Sequence, residues 1–388
     1  MNLELRNLLE IWIWKFGFMI IGIDASRAFL GNRTGIEEYS YQVIKNLRDS
    51  LREERVVLYL RSNQIVDFDL PKNWKVNVIK WPRFWTQLGL SLEMLIHPVD
   101  ALLIPAHTVP IIHPKNTLVV VHGLEYEFCS EAYSWLEKFY MRLTIRKSCK
   151  WANKIISVSE NTKRDLMSLY NVPSKKVTVV YEGYEKNHQS PVTSHKSLAL
   201  REKKSGQLPV TSDKFFLFIG RIETRKNIVN VIMAFELFKE RYKNDYKLVF
   251  AGRPGYGFEK IKCQITNSKF KDDIIELGYI SEEEKWNLLK NADAFIFATL
   301  YEGFGIPILE AQSVGCPVVA SNNSSIPEVT NSSALLVDPN SPDEIAEKMK
   351  KLVLDQDFRD DIIKKGFKNV ERFSWEKCAQ QIANELKK

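Results

Sequence analysis

Short apolar runs alternate with amphipathic stretches along most of the 388-residue chain. In the first half, runs rich in β-branched residues predict strands at Ile20–Asp24, Val56–Leu60, Lys75–Ile79, Ala101–Ile104, Leu118–Val121, Lys154–Val158 and Val177–Val180. Helical periodicity falls between several of them, at Ile36–Asp49, Ser130–Trp151 and Glu160–Tyr170. Near-continuous apolar strands separated by helices predict a parallel sheet covered on both faces. The alternation stops at residues 186–213, a polar, Ser- and Lys-rich stretch with prolines that reads as a linker. It restarts with strands at Phe215–Gly220, Lys247–Gly252, Ile274–Leu277, Ala294–Ala298 and Pro317–Ala320, and with helices at Ile228–Tyr242, Glu282–Asn291 and about Ile306–Val314. Two doubly wound α/β lobes, 19–185 and 214–372, are the economical reading. A last helix, Ser374–Leu386 within 373–388, could pack on either. Ligands of such sheets sit at the carboxyl ends of the strands.

Composition narrows the function classes. Hydrophobic residues at 45% and charged residues at 27% are ordinary for a soluble globular protein. The net charge of +7 fits an anionic ligand or an acidic membrane surface. The basic residues are interleaved with acidic ones, and neither an aromatic-plus-basic platform nor a groove-reading helix is visible, so no nucleic-acid partner is expected. The five cysteines are scattered and lack a C-x-x-C spacing, which argues against a disulfide framework or a zinc site and for a cytoplasmic, reducing location. Residues 11–23 are apolar but shorter than the roughly 20 residues a spanning helix needs, and Lys15 interrupts them. No small-residue cleavage site follows. Residues 1–18 form an extension that reads either as an interfacial helix or as an upstream segment if translation starts at Met19.

The segment Ala298–Gly315 carries the strongest chemical signal. A buried strand ends at Thr299, and a turn with Gly303, Phe304 and Gly305 opens a helix with Pro307 in its first turn. Glycines let a ligand approach the backbone, and a helix N-terminus offers unpaired N–H groups to an anion. Glu302 precedes the turn and Glu310 lies eight residues on. Eight helical residues cover roughly 12 Å. That is too far for a hydrolase carboxylate pair, which needs about 5 to 10 Å, and it suits two ends of one elongated ligand. Arg221 and Lys226 follow another strand and flank a helix start, where their charges could neutralise an anionic ligand.

These residues resemble the family 4, group 1 retaining glycosyltransferases. Glu302 to Glu310 is similar to the family's E-x7-E signature, and Gly220-Arg221 through Lys226-Asn227 to its G-R-x4-K-N donor-phosphate segment. Leu277-Gly-Tyr-Ile280 resembles the nucleobase-contacting turn, and Ala320–Val329 with Ala334–Pro339 the block after the E-x7-E helix. Phe373-Ser-Trp-Glu-Lys377 resembles the C-terminal crossover helix; Ile21–Ser26 with Thr34–Tyr39 resembles the opening strand and glycine loop. The resemblance runs from about residue 19 to the C-terminus and is weaker at 61–100 and 186–213. It implies a GT-B fold, two Rossmann-like lobes facing a cleft. It also implies a sugar-nucleotide co-substrate, with Glu302 near the sugar 3-hydroxyl, Glu310 on the ribose, Tyr279 and Ile280 at the base, and the backbone of Gly303, Phe304, Gly305 and Ile306 along the sugar and phosphate. His122 ends its strand where the family carries His-Asp; here Gly123 follows, and Glu125 is the nearest carboxylate in sequence. Its histidine would approach the donor sugar, although a structural histidine at a strand end remains open. Gly35 permits close approach to a diphosphate, or is a plain turn glycine.

No metal or other cofactor is expected. Asp67-Phe-Asp69 has the D-x-D shape of manganese sites but sits in a polar turn, and the histidines are too dispersed for zinc. Walker and G-x-G-x-x-G loops are absent. Lys138, Arg142, Arg146 and Lys150 recur every fourth residue beside Trp135, Phe139, Leu143 and Ile145, which suits an anionic membrane surface or an exposed face above a core face. The reading is therefore a metal-independent, retaining hexosyltransferase acting on a sugar or lipid-linked acceptor in polysaccharide, lipopolysaccharide or glycolipid assembly. It would lie in the cytoplasm or against the inner face of the cytoplasmic membrane. The opening segment and His-Gly-Leu-Glu resemble the mannosyltransferase-like branch, so the donor expected is GDP-mannose; UDP-glucose, UDP-N-acetylhexosamine and a non-catalytic sugar-nucleotide binder stay open.

Overall fold

The computed structural model describes residues 19–31, 33–185 and 214–388. The extension 1–18 and the linker 186–213 lie outside the described residues. The chain divides into two compact units. The first holds the described chain up to Gly123 with Phe139–Gly183 and Ser374–Lys388; the second holds Leu124–Lys138 and Tyr184–Phe373.

The first unit contains β1 (Ile20–Asp24), β2 (Arg55–Arg61), β3 (Trp74–Ile79), β4 (Ala101–Ile104), β5 (Asn116–Val121), β6 (Lys154–Ser157) and β7 (Val177–Val179). They form one seven-stranded sheet in the order β3-β2-β1-β4-β5-β6-β7, parallel throughout. Every residue of β4 and all but the first of β5 are buried, as a sheet covered on both faces requires. The order reverses between β1 and β4, so the crevice at the topological switch point lies beyond Asp24 and Ile104. The C-terminal helix Trp375–Leu386 starts at Ser374, whose Oγ accepts from the Lys377 N–H at 3.1 Å, and packs against helix Gly35–Ser50 in this unit. A Cβ on Gly183 would lie 2.2 Å from the Trp375 backbone nitrogen, so only glycine fits where the chain leaves beside that returning helix.

The second unit contains β8 (Phe215–Ile219), β9 (Lys247–Ala251), β10 (Ile274–Gly278), β11 (Ala294–Phe297), β12 (Val318–Ser321) and β13 (Leu335–Val337). Their order is β10-β9-β8-β11-β12-β13, again all parallel. Phe216, Phe218, Phe250, Phe295 and Phe297 fill its core with essentially no exposure, each contributing about 1.5–3 kcal/mol of burial. The switch point falls between β8 and β11, and their carboxyl ends lead into Arg221–Lys226 and Thr299–Glu302.

One predicted helix breaks. Ser130–Trp151 is a 3-10 turn, Ser130–Ala132, followed by helix Trp135–Trp151. The N–H and Oγ of Ser134 both bond to Glu137 Oε2, at 2.9 and 2.7 Å, a reciprocal cap that starts a new helix.

Candidate active site

The second unit gathers the charged residues. After β8 the chain makes a single 3-10 turn, Thr224–Lys226, ended by Asn227 in the left-handed region at φ 60°. The buried Asn227 amide donates to the Ala298 carbonyl at 2.8 Å and to the Pro339 carbonyl at 2.7 Å. It thereby ties this turn to the end of β11 and to the loop after β13. The Leu300 N–H donates to the Arg225 carbonyl at 3.1 Å. From the loop after β12, Asn323 Nδ2 donates to the Leu300 carbonyl at 2.9 Å, and Ser325 Oγ donates to the Glu302 and Phe304 carbonyls at 3.0 and 2.8 Å. The Glu302 N–H donates to Ser324 Oγ at 3.1 Å.

This scaffold brings Lys226 onto Glu302, with Nζ 2.6 Å from Oε1. Arg225, which the sequence did not single out, places Nη1 3.5 Å from Oε2 and binds Glu223 through Nε and Nη2 at 3.1 and 2.8 Å. Burial alone would lift the Glu302 carboxyl, but the ammonium of Lys226 and the guanidinium of Arg225 hold it below the usual carboxylate range. Arg221 stays apart, exposed and with no ion pair among the described residues. Gly305 caps helix Ile306–Ser313 at φ 118°, a backbone that favours glycine. Phe304 is buried edge-on against Phe373, with centroids 5.6 Å apart, so its backbone is fixed under the helix start.

Glu310 does not act alone. It pairs with Lys285 at 2.8 Å, which also pairs with Glu282 at 2.7 Å; burial pushes the Glu310 carboxyl up against that partner. The 12 Å spacing expected from a continuous helix has to be corrected, because the helix begins at Ile306 and Glu302 lies in the turn before it. Tyr279 stands exposed in the turn after β10, its ring 4.4 Å from the Arg253 guanidinium, beside a half-buried Ile280.

In the first unit, His122 follows β5 and is largely buried. Its Nε2 lies 2.8 Å from the Pro105 carbonyl and its Nδ1 3.2 Å from Glu182 Oε1. The Pro105 carbonyl can only accept, so the ring is held between a carbonyl and a carboxylate, each able to receive an imidazole N–H. The partner of His122 is thus Glu182, beyond β7, rather than Glu125, the nearest carboxylate in sequence. Tyr39 meets the His122 ring edge-on at 4.5 Å. His107 nearby is pushed down to about 3 by burial and by the charges of His122 and Arg27. Gly35 is exposed at the start of its helix, and a Cβ there would touch nothing within 4 Å, so the fold itself does not demand glycine.

Helix Trp135–Trp151 exposes Arg142, Arg146 and Lys150, with Lys138 half-buried. Trp135, Leu136, Phe139, Tyr140 and Leu143 are exposed as well, so of the apolar positions expected beside the stripe only Ile145 is core. Arg146 and Lys150 line, with Lys176 and Tyr170, a surface cavity of about 490 Å³. No described helix is long and apolar enough to cross a membrane. Among the described residues no three His, Cys, Asp or Glu side chains gather as a metal site; Asp67 instead faces Arg33 at 4.0 Å.

The family model described as glycosyl transferases group 1 matches residues 201–369, and that of Glycosyltransferase Family 4 matches residues 34–187. The chain is similar to O-antigen chain mannosyltransferase B of Escherichia coli, at 27% identity over 91% of this chain and 96% of that protein. Its fold resembles sucrose-phosphate synthase from Thermosynechococcus elongatus, with a TM-score of 0.73 at 16% identity over 94% of this chain and 98% of that one. It also resembles Anabaena HepE in complex with UDP and glucose, with a TM-score of 0.70 at 18% identity over 95% and 99%. The fold is GT-B. With glycosyltransferase models spanning most of its length, one over each parallel-sheet unit, the chain belongs to the group 1, family 4 glycosyltransferases.

Proposed function

We propose that this glycosyltransferase moves a hexose from a nucleoside diphosphate sugar to an acceptor hydroxyl with retained anomeric configuration, and that the donor is GDP-mannose. The observation that carries the reading is the largely buried Lys226–Glu302–Arg225 cluster at the switch point of the second unit, with an exposed Arg221 earlier on the same loop. Cations held at the place where a diphosphate develops charge stabilise its departure, commonly by about 3 to 4 kcal/mol for one preorganised group. The bond from the anomeric carbon to the phosphate oxygen breaks, and the acceptor oxygen bonds to that carbon on the same face. The acceptor proton passes to the departing phosphate. The protein supplies positioning and charge, with Glu302 on the sugar, Glu310 toward the ribose and Tyr279 and Ile280 at the base. Lys226 and Arg221 take the place of a metal ion.

Similarity to an O-antigen mannosyltransferase supports mannose and an acceptor belonging to a growing surface polysaccharide. UDP-glucose is the rival donor, favoured by the likeness to a protein bound to UDP and glucose. The exposed aromatic and cationic face of helix Trp135–Trp151 supports peripheral contact with an anionic membrane carrying a lipid-linked acceptor. A thermal-shift panel of GDP- and UDP-sugars, followed by NDP release with the stabilising donor, tests the reading. GDP-mannose is expected to raise Tm most, since a bound ligand stabilises by RT ln(1 + [L]/Kd). Stabilisation by UDP-glucose alone would reassign the donor, and binding without turnover on any acceptor would reduce the protein to a sugar-nucleotide binder.

A further inference from the structure

The two carboxylate oxygens of Glu302 are divided between two cations: Oε1 faces Lys226 Nζ at 2.6 Å and Oε2 faces Arg225 Nη1 at 3.5 Å. The cations differ in how they are held. Arg225 is anchored from behind by Glu223, which takes both Nε and Nη2, whereas Lys226 has Glu302 as its ion-pair partner. All four side chains are 10–18% exposed. Two cations facing two carboxylates leave the unliganded cluster without surplus positive charge. A diphosphate can therefore recruit Lys226 only by taking it from Glu302.

That exchange has a cost. A buried carboxylate deprived of its partner is strongly destabilised and takes up a proton instead. We propose that Arg225 is the positioning residue that prevents this: it keeps Glu302 ionised and aimed through Oε2 while Lys226 moves to the donor diphosphate, which leaves Oε1 free for a sugar hydroxyl. A guanidinium fork anchored on Glu223 suits a stationary role, and a lysine ammonium on a flexible stem suits the mobile one. Besides these residues, Cys129 from the segment Leu124–Lys138 lies within electrostatic range of Glu302, and Glu125 and Tyr133 of the same segment lie within range of Arg225. None of the three is a cation, so none can replace the guanidinium. The proposal rests on the donor-site reading above.

The test uses the full chain, with GDP and UDP as binding probes and NDP release followed against pH. Arg225→Met is expected to lower kcat by about 100-fold while leaving the nucleotide Kd unchanged, since the sugar-binding carboxylate is displaced and the phosphate site is not. The acid limb of kcat should move up by about one pH unit or more, because losing a neighbouring cation raises a carboxyl. Arg225→Lys should recover much of the rate and return the limb. Glu302→Gln, which frees Lys226 beforehand, should tighten nucleotide binding about tenfold, the worth of one charge-assisted hydrogen bond; this readout does not depend on the Arg225→Met variant folding. A loss equal at every pH and unrelieved by lysine, or a Kd that rises in step with the fall in kcat, overturns the proposal. No nucleotide binding by the wild type overturns the donor-site reading and the role of Arg225 with it.

Discussion

The carboxyl edges of the two sheets are built on the same topology and equipped differently. At the second edge, loops after β8, β11, β12 and β13 converge, and their hydrogen bonds lock a dense cluster of charge around Glu302. At the first edge, one imidazole is held between a carbonyl and a carboxylate, and a second histidine beside it is kept neutral by burial. A diphosphate is the same in every sugar nucleotide, so an edge that receives it can be rigid and heavily charged. An edge that handles a variable acceptor gains nothing from fixed charge, which would have to be desolvated for each new partner.

The largest effect should come from the charged edge. Lys226→Ala is expected to lower kcat by about 100- to 1,000-fold, the range for removing one preorganised donor from developing charge. Glu302 keeps Arg225, so the fold should hold. Arg221→Ala should cost less, because an exposed cation is partly screened by water. Wild-type NDP release in both variants would remove the diphosphate assignment.

How much of this contrast was legible in the sequence follows from range. Arg221, Lys226, Glu302 and the glycine turn lie in contiguous motifs at strand ends, where residue type and the resemblance to a family single them out together. Arg225, Lys285 and Glu182 did not stand out, since their meaning lies in partners 77, 25 and 60 residues away. Arg225 falls at a variable position of the G-R-x4-K-N segment; the signal that points to it is Glu223 two positions earlier. Strand β13 is three residues long, and helices Phe258–Asn267, Pro342–Leu354 and Gln356–Val370 were not singled out by the pattern. The break at Ser134 was hidden because helical periodicity runs across it, and only the Ser134–Glu137 cap marks it.

The first edge makes a smaller, sharper prediction. Glu182→Gln should lower kcat about tenfold, the scale of one hydrogen bond to a charged group, while Glu125→Gln leaves the His122 step unaltered. The reverse ranking would restore Glu125 as the partner of His122. Equal wild-type rates in both would make His122 a structural residue at a strand end.

Membrane contact should respond more gradually. Reversing Lys138, Arg142, Arg146 and Lys150 to glutamate should abolish co-sedimentation with anionic liposomes at low salt, each cation near the surface contributing about 1 kcal/mol. Phe139→Ser with Leu143→Ser should weaken binding but keep its salt dependence, because it removes apolar area from the same exposed helix face. If the wild type does not bind anionic liposomes at low salt, the stripe is a solvated helix face and the acceptor is soluble.

The smallest expected effect is none: activity should survive exhaustive EDTA treatment. A metal at a departing diphosphate supplies positive charge fixed beside the leaving oxygens. Lys226, passing from Glu302 to the diphosphate, would bring such a charge from within the fold, and the exposed Arg221 on the same segment would add a second. The D-x-D pair is poorly suited to the task. The Asp67 carboxylate faces the Arg33 guanidinium, and the Asp69 carbonyl accepts from Arg48 at 2.9 Å, so a divalent ion would have to compete with cations already in place. Loss of NDP release after EDTA, restored by manganese or magnesium, would overturn this and move attention back to Asp67 and Asp69. If Asp67→Asn and Asp69→Asn then left the restored activity unchanged, the metal would have to enter with the donor diphosphate itself.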